Sequence, residues 1–145
     1  EAHKDLLRIV QDKPLGTEAI AYYDMQGNPL YSSMGDAAGL TVSGKRQQVP
    51  HITIHNHPDN SVFSPRDIRV FARNPNMWAL TAVGHDGSIQ ALERTPFADV
   101  DGFMQYIKHE IDRVHPNSAD ALIVLMESVM KEAEKYGVYF YRNRP

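Results

Sequence analysis

Between His51 and Val83 the chain changes its apolar period twice. His51–His55 (HITIH) alternates apolar and polar residues, the pattern of a half-buried strand. Pro58 stops that strand, residues 58–63 form a loop, and Ser64-Pro65-Arg66-Asp67 opens a helix that reaches about Arg73. Serine is a good N-cap, and proline suits the first helical position because its missing N–H would have no partner there. Asn74-Pro75-Asn76 breaks the helix, and Trp78–Val83 returns as an apolar strand. A strand, a helix and a strand in immediate succession call for a layered fold in which helices cover a sheet.

The rest of the chain follows the same alternation. Leu6, Leu7 and Val10 stand at helical spacing, predicting a helix over 2–12 that ends at Lys13-Pro14-Leu15-Gly16. Glu18–Asp24 is an aromatic-rich strand, Gln26-Gly27-Asn28-Pro29 a turn, and Leu30–Ser33 the start of a second strand. Residues 35–50 are Gly-rich and polar, a loop with a short strand near Leu40–Val42. His85-Asp86-Gly87 turns the chain into a strand over Ser88–Glu93. Two amphipathic helices follow, one with Phe103, Ile107, Ile111 and Val114 on a single face. The other aligns Leu122, Ile123, Met126, Val129, Met130 and Ala133. Gly137 caps the second, and Val138–Tyr141 forms a last strand. The fold class is therefore α/β, and the hairpins make its sheet mixed rather than purely parallel.

At 145 residues the chain fits one domain, 1–145, with 42% hydrophobic and 23% charged residues, an ordinary globular balance. It has no cysteine, which excludes disulfides, Cys-ligated zinc, iron–sulfur clusters and a Cys nucleophile. The formal net charge is -3 and no basic run occurs, so nucleic acid is not expected as a partner. No apolar run approaches the roughly 20 residues that span a bilayer, and no signal peptide is visible, so a cytoplasmic location is expected. The first residue is Glu1 rather than Met, as expected of a domain cut from a longer protein.

The chemistry concentrates between His55 and Asp67. Histidines at i and i+2 of an extended segment face the same side, so His55 and His57 can grip one ion. The loop after Pro58 returns the chain to a helix whose first turn carries Asp67, able to face back toward them. Two nitrogens and one carboxylate oxygen leave a fourth position open for water, the ligand logic of catalytic rather than structural zinc. Catalysis also needs a proton acceptor near that water. Glu18, at the head of the first strand, can sit at a sheet end facing the site, and Ser64 is placed to donate to an oxyanion.

Taken together, Glu18, His55-x-His57-Pro58 and Ser64-x-x-Asp67 resemble the pattern of the JAMM (JAB/MPN) metalloproteases. The His-Asn-His-Pro form looks like the bacterial RadC-type and phage-associated branches. The resemblance spans about Thr17 to Glu93. It implies a three-layer α/β/α fold related to the cytidine deaminases. It also implies zinc held by His55, His57 and Asp67, Glu18 as general acid/base, Ser64 as oxyanion stabiliser, and a peptide or isopeptide bond in a protein substrate. Two departures stand out. The loop Pro58–Phe63 is one residue shorter than is usual in the family, and residues 35–50 are too short and polar for the helix that ordinarily precedes the histidine strand. The late helices, 99–136, lie outside the motif and are expected to be specific to a branch.

Plainer readings stand beside these. Ser-Pro-Arg-Asp is also a helix cap, and coordination would draw Asp67 away from capping geometry. Asp24 competes with Glu18, and Asp59 with Asp67. His51 lies on the face of His55 and reads as a residue behind the ligands or on the surface. His85 reads as turn chemistry, and His3, His109 and His115 as helix residues without function. Trp78, Tyr22 and Tyr23 read as core or groove wall, and the stripes of the late helices as core or a partner surface. Three functions compete: a zinc peptidase or isopeptidase, a binding module on the same fold, and a metal-dependent nuclease. A deaminase is disfavoured because its usual zinc site needs cysteines.

Overall fold

The structure is a computed structural model that describes residues 2–10, 18–34 and 49–143. The turn expected at Lys13–Gly16, the loop at 35–48 and the strand near Leu40–Val42 lie outside the described residues. Helix α1 (Ala2–Val10) precedes the hairpin β1 (Ala19–Asp24) and β2 (Pro29–Met34). Strand β3 (His51–His57), helix α2 (Pro65–Arg73) and strand β4 (Met77–Gly84) form a strand–helix–strand unit, and β5 (Ile89–Arg94) follows. Helices α3 (Val100–Val114) and α4 (Ala119–Met130), a 3-10 turn at Ala133–Tyr136 and strand β6 (Val138–Asn143) complete the described chain.

The six strands form one sheet in the order β2-β1-β3-β4-β5-β6. Only β3 and β4 are parallel, the pair joined through α2; the other neighbours are antiparallel. The sheet is thus mixed, as the hairpins require. On one face α1 buries Leu6 against Ala19, Ala21, Ile54 and Val83, and His3 Nε2 lies 2.8 Å from the Thr81 hydroxyl. On the other face α2, α3 and α4 share the larger core, which includes Phe63, Ile68, Phe71, Leu80, Leu92, Phe103, Ile107, Met126 and Val138. The architecture is a three-layer α/β/α arrangement around a mixed sheet. Among the described residues no helix is long and apolar enough to cross a membrane.

Arg94 anchors the connection that follows α2. Its Nε donates to the Met77 carbonyl, its Nη2 to the carbonyls of Phe71 and Asn74, and its guanidinium lies 4.5 Å from the centre of the Phe71 ring. The carbonyls at the helix end are thereby satisfied by a cation, which the helix dipole also favours.

Three local expectations change. The stripe of the first late helix stops short: Phe103 and Ile107 are buried but Val114 is 43% exposed, because the chain leaves the core at the left-handed cap His115. Trp78 is 40% exposed and not part of the core, since it alternates outward beside the buried Met77. The last helix breaks at Met130, and Ala133 stays buried by way of the 3-10 turn that Gly137 closes at φ 70°.

Candidate metal centre

Strand β3 runs through His57 to Pro58 and carries His51, Thr53, His55 and His57 on the face covered by α2. His55 and His57 are buried at 6% and 7% exposure. Their Nε2 atoms are 2.8 Å apart. Asp67 comes to the same point from the first turn of α2, with Oδ1 at 3.4 Å from His55 Nε2 and Oδ2 at 3.2 Å from His57 Nε2. The three side chains form a cluster capable of chelating a metal ion.

The loop between β3 and α2 holds this arrangement. His57 Nδ1–H donates to the Ser61 carbonyl at 2.7 Å, which leaves the Nε2 lone pair of a neutral ring facing Asp67 and His55. The same carbonyl accepts Gln90 Nε2–H at 2.7 Å, while Gln90 Oε1 accepts the Phe63 N–H at 3.0 Å. Phe63, fully buried, lies with its ring centre 6.1 Å from the His55 ring, tilted against it, and 6.0 Å from the His57 ring, which it meets edge-on. The loop, though one residue shorter than the resembling family's, therefore brings Asp67 onto the histidines.

Asp67 is at once a cap and a member of the cluster. Ser64 Oγ accepts the Asp67 N–H at 3.2 Å, and Asp67 Oδ2 accepts the Ser64 N–H at 2.8 Å, a complete capping box. The conflict expected between capping and coordination does not arise, because a carboxylate offers two oxygens with several lone pairs. Burial alone would raise the Asp67 pKa. The charges and hydrogen bonds of His55 and His57 outweigh it and hold the carboxyl well below its usual range. In return, burial disfavours the charged His57 ring, yet Asp67, the Ser61 carbonyl and Glu18 raise its pKa above the ordinary value.

The donor set suits a divalent cation. Two imidazole nitrogens and the Asp67 carboxylate converge; the Nδ1 of His57 is held by Ser61, whereas among the described residues the buried Nδ1 of His55 has no hydrogen-bond partner. Ligands bonded at 2.0–2.2 Å to tetrahedral zinc stand roughly 3.3 Å apart. Each histidine has an Asp67 oxygen near that spacing, Oδ1 for His55 and Oδ2 for His57, and the histidine pair would open by about 0.5 Å to reach it.

Glu18 immediately precedes β1. Ile20 pairs with His55 across the antiparallel ladder, so alternation sets Glu18 on the face of His57, two residues beyond the last pair. It is half-buried. Burial raises its pKa, opposed by the charges of His55, His57 and Arg66 and assisted by Asp67. The alternatives fall away from the cluster. Asp24 pairs with His51 at the other end of β1, where its carboxylate closes the hairpin turn. Asp59 is turned to its own loop, accepting the N–H and hydroxyl of Ser61.

His51, expected behind the ligands or on the surface, is fully buried. Its Nδ1 lies 2.8 Å from the Val49 carbonyl and its ring meets Tyr22 edge-on. Two residues that support the cluster escaped the sequence reading. Gln90 shares strand parity with the buried Leu92, so a polar residue on a core-facing position was the available signal. Asn56 likewise shares parity with Ile52 and Ile54. Beyond Ser61 opens a cleft of about 320 Å³ lined by Asp59, Asp86, Glu127 and Arg142 among others. No family model, curated protein or solved structure gives a significant match to this chain.

Proposed function

We propose that the protein is a zinc-dependent hydrolase of the JAMM type, a metalloprotease or isopeptidase acting on a peptide or protein substrate. The observation that carries this reading is the convergence of His55, His57 and Asp67 beside Glu18, from two strands and a helix N-terminus. His55, His57 and Asp67 would hold the zinc, which when bound would supply Lewis acidity toward a carbonyl and bring the pKa of water to about 7. Glu18 takes the proton of water as its oxygen attacks the carbonyl carbon, then passes that proton to the leaving amine as the C–N bond breaks. The Ser64 oxygen accepts the Asp67 N–H, so its own hydrogen remains to donate to the carbonyl oxygen as charge develops. His57 is held in its ligand tautomer by Ser61, and Phe63 keeps the floor of the site apolar and dry. The neighbouring cleft carries three carboxylates against the one cation of Arg142, a negative balance that favours a peptide over a nucleic acid.

Elemental analysis of the purified protein tests the reading, with His57→Ala and Asp67→Ala alongside. About one zinc per chain is expected in the wild type, lost in both variants. A folded wild type that contains no zinc and takes up none would sink it and leave a binding module. With the metal site established, Glu18→Gln is expected to keep its zinc and to lose hydrolysis of a peptide substrate by at least about a hundredfold.

A further inference from the structure

Asn56 stands between His55 and His57 on β3 and, by the period of a strand, points to the opposite face of the sheet. It is 0% exposed. Its Oδ1 accepts the Ala19 N–H at 2.6 Å, and its Nδ2 lies 3.2 Å from His85 Nε2. The direction of this chain of bonds is set at one end. A backbone N–H can only donate, so the amide oxygen of Asn56 faces Ala19 and its NH2 faces His85. His85 then accepts through Nε2 and carries its proton on Nδ1. The two ring edges of His85 are therefore not equivalent, and the turn between β4 and β5 is tied to the head of β1.

The amide so bound belongs to the residue after Glu18. The ladder between β1 and β3 ends at Ile20 and His55. One residue further on, the Asn56 side chain takes over from the backbone. Ala19 belongs to the α1 face with Ile54, so Glu18 projects to the face that carries His55 and His57. An apolar residue at position 56 would leave the buried Ala19 N–H without this acceptor and the end of the strand free to peel away. We infer that Asn56 is a positioning residue: by pinning the Ala19 amide from behind the sheet, it holds the Glu18 carboxylate beside the His55–His57–Asp67 cluster. The inference rests on the reading of Glu18 as the proton carrier.

Asn56→Ala and Asn56→Asp test it through two readouts. The first is hydrogen exchange of the Ala19 amide, which needs no metal. The second is the pseudocontact shift of Glu18 when Co2+ replaces zinc, with the zinc protein as reference. Asn56→Ala is expected to bind metal at wild-type stoichiometry, to exchange Ala19 about tenfold faster, and to change the Glu18 shift. Asn56→Asp, which keeps an oxygen for the Ala19 N–H, is expected to hold both near wild type. Ala19 exchange and the Glu18 shift unchanged in Asn56→Ala would overturn the proposal. If Asn56→Ala does not fold, Asn56→Ser carries the same test, since its hydroxyl is too short to reach Ala19. A wild type that takes up neither zinc nor Co2+ would end the metal reading, while Ala19 exchange would still show whether Asn56 holds the head of β1.

Discussion

Asp67 concentrates at one residue two tasks that sequence reasoning set against each other. Its oxygens accept the Ser64 N–H while facing both histidines, so the helix cap is made in a geometry that also points the carboxylate at the cluster. The two tasks separate in a pair of variants. Asp67→Asn keeps a side-chain oxygen for the cap and loses the charge; Asp67→Ala loses both. In the presence of a chelator, Asp67→Ala is expected to melt about 3 °C below Asp67→Asn. That is the size of one cap contributing about 1 kcal/mol in a chain of this length. Neither variant is expected to retain stoichiometric zinc. Equal melting of the two would show that the cap contributes nothing and that Asp67 serves the histidines alone. His55, His57 and Asp67 were legible as a set because strand period and the helix start relate them locally along the chain. Asn56 and Gln90 were not, because their partners Ala19, Phe63 and Ser61 are assigned only by which strands pair and in what register. Of the two places expected for His51, the surface falls away, because the pairing of β3 between β1 and β4 buries it.

The two hairpin turns are built on the same device, an aspartate that accepts hydrogen bonds from the residues after it. Asp24 takes the N–H groups of Gln26 and Asn28 and the Asn28 side-chain amide, and Gly27 supplies φ 87°. The Asn28 side-chain bond, with the backbone bonds behind it, lowers the Asp24 pKa. A carboxyl whose folded pKa is depressed contributes stability that is present above its unfolded value, about 3.9, and lost as pH falls through the folded value. The melting gap between wild type and Asp24→Ala is therefore expected to narrow on going from about pH 6 to about pH 3. A gap that stays constant would mean the turn does not depend on the ionised form. In the second turn Asp86 accepts the N–H and hydroxyl of Ser88, and Asn60 Oδ1 accepts the Asp86 N–H from the loop that carries Ser61. Gly84 is the floor of this knot. A Cβ there would come within 2.6 Å of Asn60 Oδ1 and Ser88 Oγ and 2.7 Å of Asp86 Oδ1. Gly84→Ala is expected to cost about 1–3 kcal/mol in denaturant unfolding, as overpacking does. It should also weaken zinc binding, because Gly84 is the ladder partner of His57. Stability equal to wild type would show that the three side chains move aside freely. Both turns were readable from Gly27 and Gly87 with their neighbours. Their connection through Asn60 was not, since nothing local links the loop after His57 to the turn after Gly84.

The whole molecule shows why a cation at this cluster would matter beyond chemistry. The alternation of strand-like and helix-like segments made an α/β fold with a mixed sheet legible, because every sheet neighbour except β1 and β3 is also a neighbour in sequence. What could not be read was which face each helix would take. Among the described residues that choice places α1 on one side and α2, α3 and α4 on the other. His55 and His57 belong to the middle of the sheet and Asp67 to the helical layer, so one ion bound by all three would bridge two layers that otherwise meet through the apolar core and the Arg94 bonds to the end of α2. A ligand that binds the folded chain and not the unfolded one stabilises it in proportion to the logarithm of its concentration. At a hundredfold excess over the dissociation constant this amounts to about 2.7 kcal/mol. For a chain of this length that is roughly 5–10 °C in melting temperature. Melting of the metal-free protein is therefore expected to rise by that amount on titration with zinc, while His57→Ala shows no rise under the same conditions. A wild type that binds zinc without gaining stability would place the ion on a surface that survives unfolding, and the bridge between sheet and helix would not be where it binds. A rise shared equally by His57→Ala would point to some other group of ligands.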